Sequence, residues 1–255
     1  MNTIGIIPVR MAASRFPGKP LAKILGIPMA GHVYFRSKMN RSLSEVYFAT
    51  CDKEIEDYGR SIGAKVIMTK TTHQRASDRT AEAVEKIEKQ TKKKVDVVVM
   101  IQGDEPMLMP EMIDLSLKPF KKEKGFGVIN LMAHLESEAE ENDPNEIKVV
   151  VDPNNFALYF SRRPIPFHRP GSPKQKRLKQ VCIIPFKRDY LTKFNRLPST
   201  PLEIAESVDM LRILEHGDKV KMVMSPYQTY SVDTPEDLRH VEGRLKNDPL
   251  VSRYR

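Results

Sequence analysis

Residues 95–106 read VDVVVMIQGDEP, and this stretch decides the fold. Apart from Asp96, everything from Val95 to Ile101 is apolar, so the strand it forms must be covered on both faces. Such a strand belongs at the centre of a parallel sheet. The turn after it, with Asp104 and Glu105, then lies at the sheet's C-terminal edge, where open α/β sheets bind their ligands.

The preceding chain fits that placement. Thr3–Val9 is an apolar, β-rich run, Met29–Met39 has a helical pattern, and EVYFAT (45–50) is a strand. A polar helix over Asp52–Ile62 and a strand at AKVIMT (64–69) follow. Ser77 is a candidate cap for the next helix, whose Ala81, Val84 and Ile87 recur on one face. Strands alternating with helices predict an α/β fold: a Rossmann-like, mostly parallel sheet with helices on both faces.

After residue 125 the rhythm changes. GVINLMAHL (127–135), EIKVVVD (146–152) and ALYFSRR (157–163) read as strands in quick succession. Pro164–Lys179 reads as a loop, VCIIPF (181–186) as extended, and PLEIAESVDMLRILEHG (201–217) as one helix. KVKMVM (219–224) is a last strand, and a helix follows SVDTPEDL (231–238).

Composition narrows the class. The 255 residues suffice for one core with an appended lobe, and 40% hydrophobic with 29% charged residues describes a soluble globular protein. A basic-then-apolar leader and a membrane-length apolar run are both missing from the sequence, so a cytoplasmic protein without membrane contact is expected. Cys51 and Cys182, in strand-like surroundings, read as buried thiols rather than zinc ligands. The net charge of +9 raises nucleic acid as a partner. The lysines, however, are dispersed or grouped at expected helix ends (92–94, 121–124), and no Trp is present for base stacking. The pattern reads as solvated surface.

Three segments carry candidate chemistry. GIIPVRMAASRFPGKP (5–20) places Arg10, Arg15 and Lys19 among small residues after the first strand, a nest suited to phosphate oxygens. It matches neither the dinucleotide glycine fingerprint nor the P-loop. QGDEP sets two acids at the sheet edge, costly there without a partner such as a divalent cation. In SVDTPEDL, Asp233 ends an extended segment. The plain alternative for Asp104 and Asp233 is helix capping. Together, a basic loop and two strand-end aspartates point to a nucleoside triphosphate with Mg2+.

At full length the sequence resembles the CMP-Kdo synthetases, the 3-deoxy-manno-octulosonate cytidylyltransferases. The resemblance runs in order through IIPVRMAASRFPGKPL, TKTTHQ, IQGDEPM, DPNEIKVVVD, ALYFSRRPIP, TPLEIAE and VDTPEDL. It implies one nucleotidyltransferase domain over 1–255, with an inserted, β-rich acceptor and homodimerisation lobe at about 145–200. It further implies that CTP lies over the first loop, with Arg10, Ser14, Arg15 and Lys19 on its phosphates. The cytosine would be read around Gln74, Arg75, Ser77, Arg79 and Gln102. Asp104 and Asp233 are the implied Mg2+ ligands, with Arg10, Lys19 and Asp104 as the catalytic set. An acidic acceptor would meet Arg162, Gln180, Glu206 and Asp209.

The chain also departs from the family. The usual Ser-Gly-Thr-Glu-Arg after the glutamine is Arg75, Ala76, Ser77, Asp78 and Arg79. A usual His and Tyr on the acceptor strand are Gln180 and Ile184, and a usual Glu-Gln pair is Asp209 and Met210. The expected acceptor is Kdo or a modified Kdo such as an amino-Kdo. A phosphonate or phosphate acceptor, and a nucleotide-binding protein without catalysis, are the alternatives.

Overall fold

The structure is a computed structural model that describes residues 1–12, 16–173 and 175–255. Its first half runs β1 (Thr3–Pro8), β2 (Lys23–Ile24), β3 (Ile27–Pro28), α1 (Met29–Lys38), β4 (Glu45–Thr50), α2 (Lys53–Ser61), β5 (Lys65–Met68), α3 (Ala76–Thr91), β6 (Val97–Ile101) and α4 (Pro110–Lys122). The second half runs β7 (Val128–His134), α5 (Glu138–Asn142), β8 (Lys148–Val151), β9 (Ala157–Ser161), β10 (Leu178–Val181), β11 (Ile183–Lys187), α6 (Arg188–Arg196), α7 (Pro201–Glu206), α8 (Asp209–Glu215), β12 (Val220–Met224) and α9 (Pro235–Leu245).

Strands β5, β4, β1 and β6 are parallel neighbours, as the alternating pattern predicts. Strand β6 is buried throughout. Its Val98 and Met100 pack with α3 residues such as Ala83, Val84 and Ile87. Val97, Val99 and Ile101 pack on the other face with α1 and α4, through Val33, Met112 and Ile113. Helices therefore cover both faces, and the two cores meet only through the sheet.

Beyond β6 the sheet changes character. Strands β10 and β11 form an almost continuous antiparallel line interrupted at Cys182. Strand β11 pairs with β6 up to Ile183↔Ile101, whereas β10 pairs on that side with β8 at Lys179↔Lys148. One edge is thus shared by two strands, and a gap opens where β6 ends and β8 begins. Strand β7 pairs with β10 and β11 on one side and with β12 on the other. A bridge between Phe156 and Lys221 brings the start of β9 back to β12, so this end of the sheet curls over.

Three expectations change. The helix predicted over Pro201–Gly217 is two helices, broken at Ser207, whose φ is +54°. The buried Glu203 carboxylate takes a two-pronged contact from Arg212, with Nε at 2.7 Å. In an unbroken helix those positions would sit roughly 13.5 Å apart along the axis, so the pair requires the break. The loop expected through Lys179 ends earlier, because Leu178 and Lys179 already pair in the sheet. Ser77 is not a cap: α3 starts at Ala76, and the Ser77 hydroxyl is buried and donates to Asp209 (2.7 Å). Helices α5 and α6 were not expected at all.

Gly103 lets the QGDEP turn settle against β1. A β-carbon there would lie 2.2 Å from Cγ1 of Val9, a stiff, buried side chain. Gly103→Ala is expected to cost about 1–3 kcal/mol through overpacking. Urea unfolding measures it, and an unchanged midpoint would contradict the close packing.

Candidate active site

Three loops converge at the C-terminal end of β1 and β6. The first bends at Gly18 (φ +74°), a conformation open to glycine, and so brings Lys19 back toward the sheet. The second is QGDEP, anchored where the Gln102 N–H donates to the Cys182 carbonyl (3.1 Å). The third is VDTPEDL. Thr234 caps α9 by accepting from the Asp237 N–H, and the Asp237 carboxylate accepts from the N–H groups of Asp233 and Thr234. This capping box, with Pro235 in the first turn, fixes the backbone of Asp233 at the helix entrance. The second and third loops are tied directly, since the Val232 N–H donates to the Asp104 carbonyl at 3.0 Å.

The Lys19 ammonium joins all three, 2.9 Å from Asp104 Oδ2 and 3.1 Å from Asp233 Oδ1. Burial alone would lower the pKa of this lysine, but the two carboxylates outweigh it and hold the group above its ordinary value. Neither aspartate is a helix cap: Thr234 fills that role for α9, and Asp104 lies well ahead of α4. Two carboxylates converging on one cation are a donor set that fits Mg2+. No group of three or more His, Cys, Asp or Glu side chains suited to a metal occurs among the described residues. A hard cation with two protein carboxylates completes its shell with water and substrate phosphates, as Mg2+ commonly does.

Glu105 does not join this pair. Burial, helped by the Asp104 charge, pushes its carboxyl up to about 8, so it is protonated at neutral pH. Its Oε2 has no hydrogen-bond partner among the described residues.

Two cavities meet at these loops. The first, of about 320 Å³, is walled by Arg10, Lys19, His73, Gln74, Arg79, Gln102 and Asp104, among others. Arg79 is buried and donates through Nη1 to Thr69, while its Nη2 has no partner among the described residues. A buried guanidinium nitrogen left unpaired beside a cavity calls for an acceptor from a ligand. The turn before Gln74 is pinned by Glu82, whose carboxylate takes the Lys70 N–H (2.9 Å), Lys86 (2.8 Å) and His73.

The second cavity, of about 380 Å³, occupies the gap where pairing passes from β6 to β8. Its walls include Glu105, Glu146, Arg162, Gln180, Cys182, Ile184, Asp209 and Met210. Arg10, Gln74, Arg75, Gln102, Asp104 and Asp233 line both cavities.

The expected site residues fall as follows. Arg10, Lys19, Gln74, Arg75, Arg79, Gln102, Asp104 and Asp233 are brought together. Ser14 and Arg15 lie outside the described residues. Ser77 lies behind the wall, orienting Asp209. Gln180 faces the second cavity and donates to Asn130 (2.6 Å). Glu206 does not line it. Its carboxylate accepts from Ser161 (2.9 Å) and the Arg162 N–H (2.9 Å), which ties α7 to the end of β9. Arg162 is itself engaged, through Nε to the Glu206 carbonyl and Nη1 to the Pro144 carbonyl, each at 2.7 Å. Sequence reasoning missed His73, Glu146 and Ser207; it set Glu105 beside Asp104 as a second acid for a cation, a role the structure does not give it, and it read Cys182 only as a buried thiol, whereas it lines the second cavity. Glu146 stood inside DPNEIKVVVD, but no local pattern showed that β8 would abut the end of β6.

A Rossmann-like sheet carrying a cationic loop and paired aspartates at its C-terminal edge defines a nucleotide-binding α/β protein. A family model described as cytidylyltransferase matches residues 4–222, and the chain belongs to that family of nucleotidyltransferases. It is 38% identical over 256 residues to a 3-deoxy-manno-octulosonate cytidylyltransferase of Geobacter sulfurreducens, covering 96% of this chain and 100% of the relative. It is 39% identical over 249 residues to an 8-amino-3,8-dideoxy-manno-octulosonate cytidylyltransferase of Shewanella amazonensis, covering 97% and 100%. The solved structure of CMP:2-keto-3-deoxy-manno-octonic acid synthetase complexed with CTP superimposes with a TM-score of 0.86 at 35% identity, covering 97% of this chain and 100% of that one.

Glu82 yields a pH prediction. Burial would raise its carboxyl, but Lys86, the Lys70 N–H and His73 overcome that and lower it from 4.5 to about 2. A depressed carboxyl contributes stability above its unfolded value, and that stability is lost as pH falls from about 4.5 through about 2. Glu82→Gln should therefore unfold more easily than the parent at pH 6, with the gap closing toward pH 2. Parallel acid-unfolding curves check this; a constant gap would refute it.

Proposed function

We propose that the protein transfers CMP from CTP to a Kdo-like 3-deoxy-ulosonic acid, Kdo or its 8-amino analogue, and releases pyrophosphate. The observation that carries this reading is the shared wall of the two cavities. Arg10, Gln74, Gln102, Asp104 and Asp233 border both, so a nucleotide in one and a sugar acid in the other would meet at the paired aspartates. The full-length relatives named for Kdo and amino-Kdo support the acceptor class.

In this reading the triphosphate lies along the first loop, with Arg10 and Lys19 on its oxygens. The unpaired Nη2 of Arg79 supports cytosine in the first cavity, because the base offers ring-carbonyl and ring-nitrogen acceptors. Mg2+, held by Asp104 and Asp233, would neutralise charge on the triphosphate. Lys19, relieved of those carboxylates, would be free to turn to the outer phosphates. The acceptor's anomeric hydroxyl attacks the α-phosphorus and gives up its proton to solvent water. The new O–P bond forms as the bond to the β-phosphate bridge breaks, and pyrophosphate leaves with the electron pair. Positioning and charge neutralisation carry most of such a step.

The acceptor wall is less polar than a polyhydroxylated sugar prefers. Ile184 and Met210 are buried apolar residues beside the cavity, in support of an acceptor other than unmodified Kdo being used best. A soluble, cytoplasmic enzyme agrees with the finding that no helix among the described residues is long and apolar enough to cross a membrane.

Pyrophosphate release tests the reading. With Mg2+, CTP should support turnover of Kdo or 8-amino-3,8-dideoxy-Kdo, and ATP, GTP and UTP should not. Asp104→Asn or Asp233→Asn should lower the rate about a hundredfold or more, as should excess chelator. Full activity in chelator, or equal use of all four nucleotides, would sink it.

The lobe at about 145–200 is proposed as the homodimer contact. Leu158 (62% exposed) on β9, Phe167 on the loop after it and Ile204 (64% exposed) on α7 are large apolar residues open to solvent in or beside it. Light scattering should give a dimer, and Leu158→Lys with Ile204→Lys should shift it to monomer. A monomeric parent protein would remove the proposal.

A further inference from the structure

Resting on that function, we propose that Arg75, and not Arg162, receives the acceptor's carboxylate and so decides acceptor specificity in this chain. Arg75 lines the nucleotide cavity and the second cavity alike, and its guanidinium extends to the far wall of the second. The guanidinium reaches the broken α7–α8 corner, donating through Nη1 to Ser207 Oγ at 3.0 Å. That corner, from Ser207 to Met210, is a wall of the second cavity.

The three arginines bordering the second cavity are differently occupied. Arg10 stands on the first loop, where the triphosphate claims it. Arg162 has two of its five N–H donors, on Nε and Nη1, committed to main-chain carbonyls, which pins its guanidinium and leaves it fewer free donors than Arg75. The Arg75 side chain makes one hydrogen bond among the described residues. Its carboxylate neighbours are looser: Asp209 at 3.5 Å and Glu203 at 3.8 Å. Glu203 is already satisfied by Arg212, and Asp209 by the Ser77 hydroxyl. The Arg75 side chain is 26% exposed, so most of its planar donor set is available to an anion arriving in the cavity.

The same geometry explains why this position bears a cation. The break at Ser207 turns the α7–α8 corner toward residue 75, and a shorter side chain there would take the Arg75 charge away from Asp209 at the cavity wall. Arg75 lies beside Asp209 in the free protein and offers its remaining donors to the acid substrate. A two-pronged arginine–carboxylate contact also orients the acceptor, which a lysine at the same place would do less well.

The test compares Arg75→Ser, Arg75→Lys and Arg162→Ala with the parent enzyme. Pyrophosphate release is followed while Kdo, 8-amino-3,8-dideoxy-Kdo and CTP are varied in turn, and binding of each acid is titrated calorimetrically with CTP and chelator present. For Arg75→Ser the acceptor KM should rise about 10- to 100-fold, while the CTP KM and the thermal shift by CTP change less than about threefold. Arg75→Lys should recover part of the loss, and Arg162→Ala should cost less than Arg75→Ser. Unchanged acceptor KM in Arg75→Ser, or an equal rise in the CTP KM, would overturn this assignment while leaving the transferase reading intact. If neither acid binds or reacts with the parent protein, the transferase reading falls, and this assignment with it.

Discussion

The second cavity exists because one antiparallel line of chain, β10 and β11, is not paired along its whole edge by a single strand. Strand β6 stops at Ile101, and β8 takes over at Lys148. At the junction the Cys182 carbonyl still accepts from Gln102, while the Gln180 N–H donates to the Ile147 carbonyl. These two bonds carry the pairing up to the junction from both sides, although the strands part. The space between them is the second cavity, and the QGDEP turn is its rim. A sheet that closed this gap would leave no second cavity beside the first.

Across that rim, buried charge is balanced in two places. Lys19 lies between Asp104 and Asp233, which would otherwise repel each other where water is scarce. Deeper in, Lys179 is held by Glu146 (3.0 Å) and the Thr229 carbonyl (3.1 Å), while Glu105 stays neutral. The two balances differ in kind. Lys19 sits on a loop that begins at a glycine turn, so its charge can be redirected when a triphosphate and a metal arrive. Lys179 sits within the sheet, and its pairing is permanent.

The α7–α8 corner joins the two halves of the site. Its break is enforced by the Glu203–Arg212 pair, and it brings Asp209 to Ser77 at the start of α3. The helix that begins beside the nucleotide cavity and the helix that walls the acceptor cavity thus share a hydrogen bond. Glu206, three residues before α8 begins at Asp209, clasps the end of β9 instead of lining the second cavity. Residues that look alike in sequence as acidic pocket members therefore have separate duties: one clasps strands, one links helices, and one stays buried against an arginine.

Much of this was legible in the sequence. The doubly apolar run at 95–101 fixed the central strand, and the alternation of strands with helices gave the parallel half of the sheet. The positions of Arg10 and Asp104 just past strand ends followed from the same reading, because local hydrophobic pattern and turn chemistry determine where strands stop, whereas Asp233 stands at the entrance of α9 and not at the end of a strand. The tertiary structure decided what spacing along the chain does not encode. The hand-over of pairing at Cys182, the break at Ser207 and the occupation of Arg162 all depend on groups brought from distant parts of the chain, or on a buried ion pair that overrides helical propensity. A charge's partner is set by which buried groups need one once the chain has folded, and that is why Arg75 could be placed in the sequence but its direction could be read only from the fold.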